Sequence, residues 1–134
     1  MATRVVIAED EAIIRLDLKE TLEEEGYEVV GETGRGDEAV ELVREHGPDL
    51  VILDIHMPDG DGIATLEQLR RDYSPTQLPV IMATAKDDDE EVVHAFELGA
   101  NDFVSKPINF PVLFARLRTH LQLKRTIEEL ERLR

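Results

Sequence analysis

The sequence predicts a doubly wound α/β fold, in which one parallel sheet carries helices on both faces. Three observations predict it. The apolar runs Val5-Val6-Ile7-Ala8, Leu50-Val51-Ile52-Leu53 and Val80-Ile81-Met82-Ala83 are continuous rather than alternating, as expected of strands covered on both sides. Segments with helical spacing lie between them. Glycine and proline fall near the predicted element ends, at Gly26, Gly47-Pro48, Pro79 and Gly99.

Taken in order, the first strand leads into a helix marked by Ile14, Leu18 and Leu22, and then a weaker strand is predicted at 27–31. Val40 and Val43 mark the second helix, which precedes the Leu50 strand, and a third helix is predicted at 63–71. The Val80 strand is followed by a helix at 90–98, a weaker strand at 102–105, and a last helix from Phe110 onward. Strands alternating with helices in this way imply right-handed crossovers. In such folds the ligand site lies beyond the carboxyl ends of the strands.

At 134 residues the chain fits one domain with one core. Fifteen Lys and Arg stand against 30 Asp and Glu, a net charge of -15. That charge repels phosphate backbones and anionic lipid head groups, so neither nucleic acid nor a membrane is expected as a direct partner. Basic residues concentrate only at 116–134, where acidic residues dilute them. The absence of cysteine excludes disulfides, thiolate zinc sites and cysteine nucleophiles together. The first apolar stretch is too short for a signal-peptide core or a membrane span, and a cytoplasmic protein is the expectation.

The strand-end rule selects Glu9-Asp10-Glu11 after the first strand, Asp54 after the third, Thr84 after the fourth and Lys106 after the fifth. Carboxylates gathered on one rim repel one another unless a cation sits among them. Oxygen ligands without an imidazole cluster favour Mg2+. A carboxylate beside Mg2+ can attack phosphorus, because the metal neutralises charge on the transferring phosphoryl group. A lysine and a threonine hydroxyl on the same rim can hold the phosphoryl oxygens. Singly, each residue has a plainer reading: an acid after a strand caps a helix, Thr84 is a strand-end hydroxyl, and Lys106 is solvated. Their placement at four separate strand ends shifts the balance toward an acyl phosphate on aspartate.

Four motifs carry a family resemblance: Val5 through Glu11, Leu53-Asp54-Ile55-His56-Met57-Pro58 with Asp61-Gly62, Thr84-Ala85, and Lys106-Pro107. In this order and spacing, over about residues 3 to 121, the chain resembles the response-regulator receiver domains of two-component systems, which are chemotaxis-regulator-like. The resemblance implies a flavodoxin-like (βα)5 fold with strand order 2-1-3-4-5. It implies Asp54 as phosphoacceptor, with Asp10 binding Mg2+ directly, Glu9 binding it through water, and His56 offering its backbone carbonyl. Thr84 and Lys106 match the residues that contact the phosphoryl group, Phe103 matches the aromatic that switches rotamer with Thr84, and Pro107 is expected to follow a cis bond. The implied partner is a sensor histidine kinase or phosphotransfer protein. His56 stands where many relatives carry Asn, which implies an altered phosphoryl lifetime.

The face made by the fourth helix, fifth strand and fifth helix commonly mediates dimerisation in that family. Here the acidic run Asp87 to Glu91 borders it, and Arg116, Arg118, Lys124 and Arg125 lie on the last helix. That run is read first as a solvated surface. The receiver is expected over 1–121, with 122–134 as an extension of a last helix that contains no Gly and no Pro beyond Pro111. Leu123, Ile127 and Leu130 are spaced four and then three apart, which suits either a coiled-coil start or a solvated tail. A homodimer is expected through the fourth-helix face or this last helix. The first half resembles receivers joined to RNA-binding antiterminator modules, and the stretch from Pro79 to Leu123 resembles receivers that precede sensor or cyclase domains. A truncated or hybrid chain is therefore expected.

Other features carry less. Asp59-Gly60-Asp61-Gly62 has Arg70 rather than glutamate at the twelfth position a calcium loop requires. Gly31, Gly34 and Gly36 lack the Gly-Lys-Ser/Thr ending of a P-loop. His46, His56, His94 and His120 show no ligand spacing and are expected on the surface. Two competing functions are an aspartyl phosphohydrolase using Mg2+ and a phosphorylation-independent dimerisation scaffold. The hydrolase lacks a second carboxylate two residues after Asp54, and the scaffold predicts a degraded acidic pocket.

Overall fold

The structure is a computed structural model that describes residues 2–57, 62–85 and 89–134. Pro58 to Asp61, including most of the acidic glycine turn, and Asp87 and Asp88 of the acidic run lie outside the described residues. The elements run β1 (Arg4–Ala8), α1 (Ala12–Glu24), β2 (Glu28–Thr33), α2 (Gly36–His46), β3 (Leu50–Asp54), α3 (Gly62–Asp72), β4 (Val80–Thr84), α4 (Asp89–Glu97), β5 (Asp102–Ser105) and α5 (Phe110–Arg132). The five strands form one sheet in the order β2-β1-β3-β4-β5. Every neighbouring pair is parallel. This is the flavodoxin-like, doubly wound arrangement, with a long C-terminal helix.

The continuous apolar runs are explained by two cores, one on each face of the sheet. Val6, Ala8, Val51, Leu53, Val80 and Met82 point to the side covered by α2, α3 and α4. Val5, Ile7, Leu50, Ile52 and Ile81 point to the other side, against Leu18 and Leu22 of α1 and Leu113, Leu117 and Leu121 of α5. Because successive strand side chains alternate faces, a central strand between two helical layers must be apolar at every position. All five residues of β3 and of β4 are buried.

β2 departs from the predicted 27–31, running instead to Thr33. A register shift between Val5 and Val6 lets Glu32 and Thr33 pair with Ile7 and Ala8. On this edge strand Glu32 stays exposed and meets Arg15 and Lys19 of α1 at 3.3 Å each. The extra residues matter at the rim, where the Thr33 carbonyl accepts a hydrogen bond from the Glu9 amide at 2.9 Å.

Arg70, near the end of α3, ties two connections together. Its guanidinium donates to the carbonyls of Gly99 and Leu78 at 2.9 Å each, to those of Tyr73 and Ser74 at 3.3 Å, and to Asn101 Oδ1 at 2.9 Å. Asn101 Oδ1 in turn accepts from the Val80 amide at 2.9 Å. The side chain therefore adds to the turn hydrogen bonds of the α3–β4 and α4–β5 connections and ties the two together. Arg70→Met keeps the apolar stem but withdraws the donor from the Gly99, Leu78 and Tyr73 carbonyls, so a loss of about 2–4 kcal/mol is expected. Urea denaturation with an unchanged m-value would show it, and a loss under about 1 kcal/mol would reject the role given to Arg70.

Candidate functional site

Glu9 and Asp10 follow β1, and Asp54 ends β3, the neighbouring strand. The fold thus brings these three side chains together, each offering a carboxylate oxygen within 4.8 Å of the others. Glu9 and Asp54 are each 1 % exposed, whereas Asp10 is half-buried. Lys106, just beyond β5, reaches back so that Nζ lies 2.7 Å from Glu9 Oε1 and 3.2 Å from Asp54 Oδ2. Its own amide donates to the Thr84 carbonyl at 2.7 Å. The buried Thr84 ends β4, and its hydroxyl donates to the Ala85 carbonyl at 3.2 Å.

Backbone amides hold the carboxylates in place. Glu11 N–H donates to Glu9 Oε2 at 3.1 Å, and His56 N–H donates to Asp54 Oδ1 at 3.1 Å. The first of these lies at the N-cap of α1, where the helix dipole favours negative charge. The other two oxygens, Glu9 Oε1 and Asp54 Oδ2, are buried without a well-formed hydrogen bond, although Lys106 stands within ion-pair distance of both. Hard anionic oxygens with free lone pairs, clustered at one rim, suit a divalent cation such as Mg2+. The residues present therefore fit that metal.

The electrostatics follow from this crowding of acids. Burial pushes the Asp54 carboxyl up to about 7, and contact with Asp10 and the charge of Glu9 push the same way, while Lys106 opposes them. For Lys106, burial lowers the pKa, but Glu9 and Asp54 more than offset this and leave it above its ordinary value. A single ammonium thus balances part of the negative charge of three acids.

The remaining predicted residues sit close by but do not join the cluster. His56 turns its backbone amide to Asp54 while its side chain goes elsewhere, with Nε2 3.2 Å from Glu91 Oε2 on α4. The Lys106–Pro107 peptide is cis. The Phe103 ring lies under the Arg116 guanidinium, 5.3 Å from its centroid, and meets Phe96 of α4 edge-on at 6.1 Å. Arg116 also donates to the Phe103 carbonyl.

Several contributors were not legible in the sequence. Arg15 of α1 donates to the Glu9 carbonyl at 2.7 Å and so braces the turn that carries the acidic pair. Gly62 opens α3 directly beneath the acceptor strand, where a β-carbon would stand 2.0 Å from the Asp54 carbonyl oxygen. Its place in the Asp61-Gly62 motif was the only available signal. His120 is a departure from the expected surface histidine: its ring is 15 % exposed and its Nε2 lies 3.0 Å from Asp102 Oδ2.

The family model for the response regulator receiver domain matches residues 5–118. The fold and this rim therefore define a signal-receiving domain, and the chain belongs to the response regulator receiver family. Among its relatives, the transcriptional regulatory protein PdtaR of Mycobacterium tuberculosis is 44 % identical over 128 residues, covering 96 % of this chain and 61 % of the relative. The chain thus spans about three-fifths of the length of that curated relative. A CheY-like receiver domain protein from Methanospirillum hungatei superposes with a TM-score of 0.86 at 27 % identity, covering 94 % of this chain and 98 % of that one. NtrX from Brucella abortus superposes with a TM-score of 0.89 at 30 % identity, over all of this chain and 30 % of that one. Among the described residues, no helix is long and apolar enough to cross a membrane.

The titration of Asp54 has a measurable consequence. Its folded pKa of about 7 lies above the ordinary 3.8, so its contribution to stability is complete below about pH 4 and is lost as the pH rises through 7. Asp54→Asn removes that loss. Without divalent metal, urea midpoints of wild type and variant should agree near about pH 4 and separate progressively, with the variant more stable, until the difference levels off above about pH 7. Parallel curves would exclude a raised Asp54 pKa.

Proposed function

We propose that the protein is a phosphoacceptor signalling switch in which Asp54 takes a phosphoryl group from a histidine kinase or phosphotransfer protein in a Mg2+-dependent reaction. The observation that carries this reading is the buried, incompletely hydrogen-bonded Asp54 oxygen beside Glu9, Asp10 and Lys106. Asp10, Asp54 and the His56 carbonyl would hold the metal, with Glu9 acting through water. Bound there, Mg2+ supplies neutralisation of phosphoryl charge.

The chain's own residues divide the remaining work. The Asp54 carboxylate attacks phosphorus; the bond to the donor breaks, and its electron pair leaves with the donor. Lys106 exchanges its contact with Asp54 for one with a phosphoryl oxygen, keeping the ammonium paired. The Thr84 hydroxyl can turn from the Ala85 carbonyl toward another phosphoryl oxygen, which vacates space beside β5. Phe103 would then move, carrying the change to α4, β5 and α5, the face assigned to dimerisation or to an output partner. Arg116 and Phe96, both against Phe103, would report that movement. Near the rim, the exposed Ile13 and Leu16 of α1 offer apolar contact for the phosphodonor. Residues 1–121 would form this switch and 122–134 a helical extension, in a cytoplasmic protein that acts without direct nucleic-acid or membrane contact.

Exposure to acetyl phosphate and Mg2+ is expected to add the mass of one phosphoryl group, labile to hydroxylamine, and to fail with Asp54→Asn or with EDTA. Light scattering on the same samples should show a larger particle only when phosphorylated. Absence of the adduct, together with no binding of beryllofluoride, would refute the phosphoacceptor reading and leave the association scaffold.

A further inference from the structure

Beside the acidic rim lies a cavity of about 580 Å³ lined by Asp10, His56 and Met57 on one side and Glu91 on the other. Asp10 belongs to the carboxylate cluster, so the cavity opens onto the rim where Asp54 sits. Two elements face each other across it: the loop that follows β3, and the first turns of α4.

α4 is lightly anchored. Ala95 is its one fully buried residue. Its carboxyl end is fixed, because the Ala95 carbonyl accepts from the Ala100 amide at 2.9 Å and Phe96 meets Phe103. Nearer its amino end, Glu91 Oε2 lies 3.2 Å from His56 Nε2. A carboxylate can only accept, so the ring nitrogen is the donor. His56 is 55 % exposed along its side chain, yet its amide donates to Asp54 Oδ1. One residue therefore touches the acceptor carboxylate with its backbone and α4 with its imidazole.

We propose that Glu91 is a positioning residue for the phosphorylated state: by holding the His56 imidazole across the cavity, it restricts the approach of water to Asp54 and lengthens the life of the aspartyl phosphate. This rests on the phosphoacceptor reading. In the hydrolysis it restrains, a water oxygen bonds to phosphorus and the bond from phosphorus to the Asp54 oxygen breaks. The electron pair returns to the Asp54 carboxylate, and the water's protons leave with inorganic phosphate. Glu91 touches neither phosphorus nor Asp54 and acts through the His56 ring.

The test uses the whole chain, loaded from acetyl phosphate with Mg2+, desalted rapidly, and followed by intact mass as the phosphoryl group is lost. Glu91→Ala is expected to load as the wild type does but to lose the group roughly 1.5-fold to fivefold faster, the range expected when a partly exposed pair is lost. Glu91→Gln, whose amide oxygen still accepts from the ring, should restore most of the lifetime. In a His56→Ala background, Glu91→Ala should change nothing further. A half-life altered by less than about 1.5-fold in Glu91→Ala, or shortened equally with and without the His56 ring, overturns the inference and leaves the phosphoacceptor reading standing. A wild type that takes up no phosphoryl group overturns both.

Discussion

Two carboxylates buried to 1 % exposure, with one ammonium between them, set the conditions for everything at the carboxyl edge of this sheet. Burying charge is costly unless it is paired, and pairing one lysine with two acids leaves an uncompensated negative charge. The surroundings answer with fixed dipoles: the amides of Glu11 and His56, and the amino end of α1. These hold the acids without fully satisfying them. The remaining lone pairs are what the proposed cation, and through it the phosphoryl group, would engage.

The fold exists to keep that tension in place. Parallel strands bring β1 and β3 side by side, so Asp54 stands beside the Glu9-Asp10 turn without any long-range loop. Arg15 braces the turn from below, Gly62 lets α3 close directly against the acceptor strand, and Arg70 fixes the connections at the far edge. By contrast α4 is left with little buried surface, so the region nearest the proposed switch is also the one least committed to a single position.

How much of this could be read from the chain follows from range. The continuous runs Leu50 to Leu53 and Val80 to Ala83 announce strands covered on both faces, because their environment depends only on alternation along the strand. Glu9, Asp10, Asp54, Thr84 and Lys106 were legible because a strand end is a local feature and parallel strands place all such ends on one rim. The end of β2 was not, since it depends on a register shift in a neighbouring strand. Arg70 and Arg15 were not, because a long flexible side chain gives no sign of which carbonyls it will reach. His120 looked like a surface histidine until the packing of α5 on β5 set it beside Asp102.

α5 has 23 residues, but its last buried residue is Leu121. At about 1.5 Å per residue the part beyond it is roughly 16 Å long, and its near turns still touch the body where Lys124 meets Asp49 and Arg125 meets Thr3. The buried turns would act as a fulcrum and the exposed end of the helix as a lever arm. A tilt of about 10° at the β5 contact would sweep the tip through roughly 3 Å, about half the pitch of a helical turn. A packing change too small to alter the sheet would thereby reach the tip as a displacement of about half a helical turn.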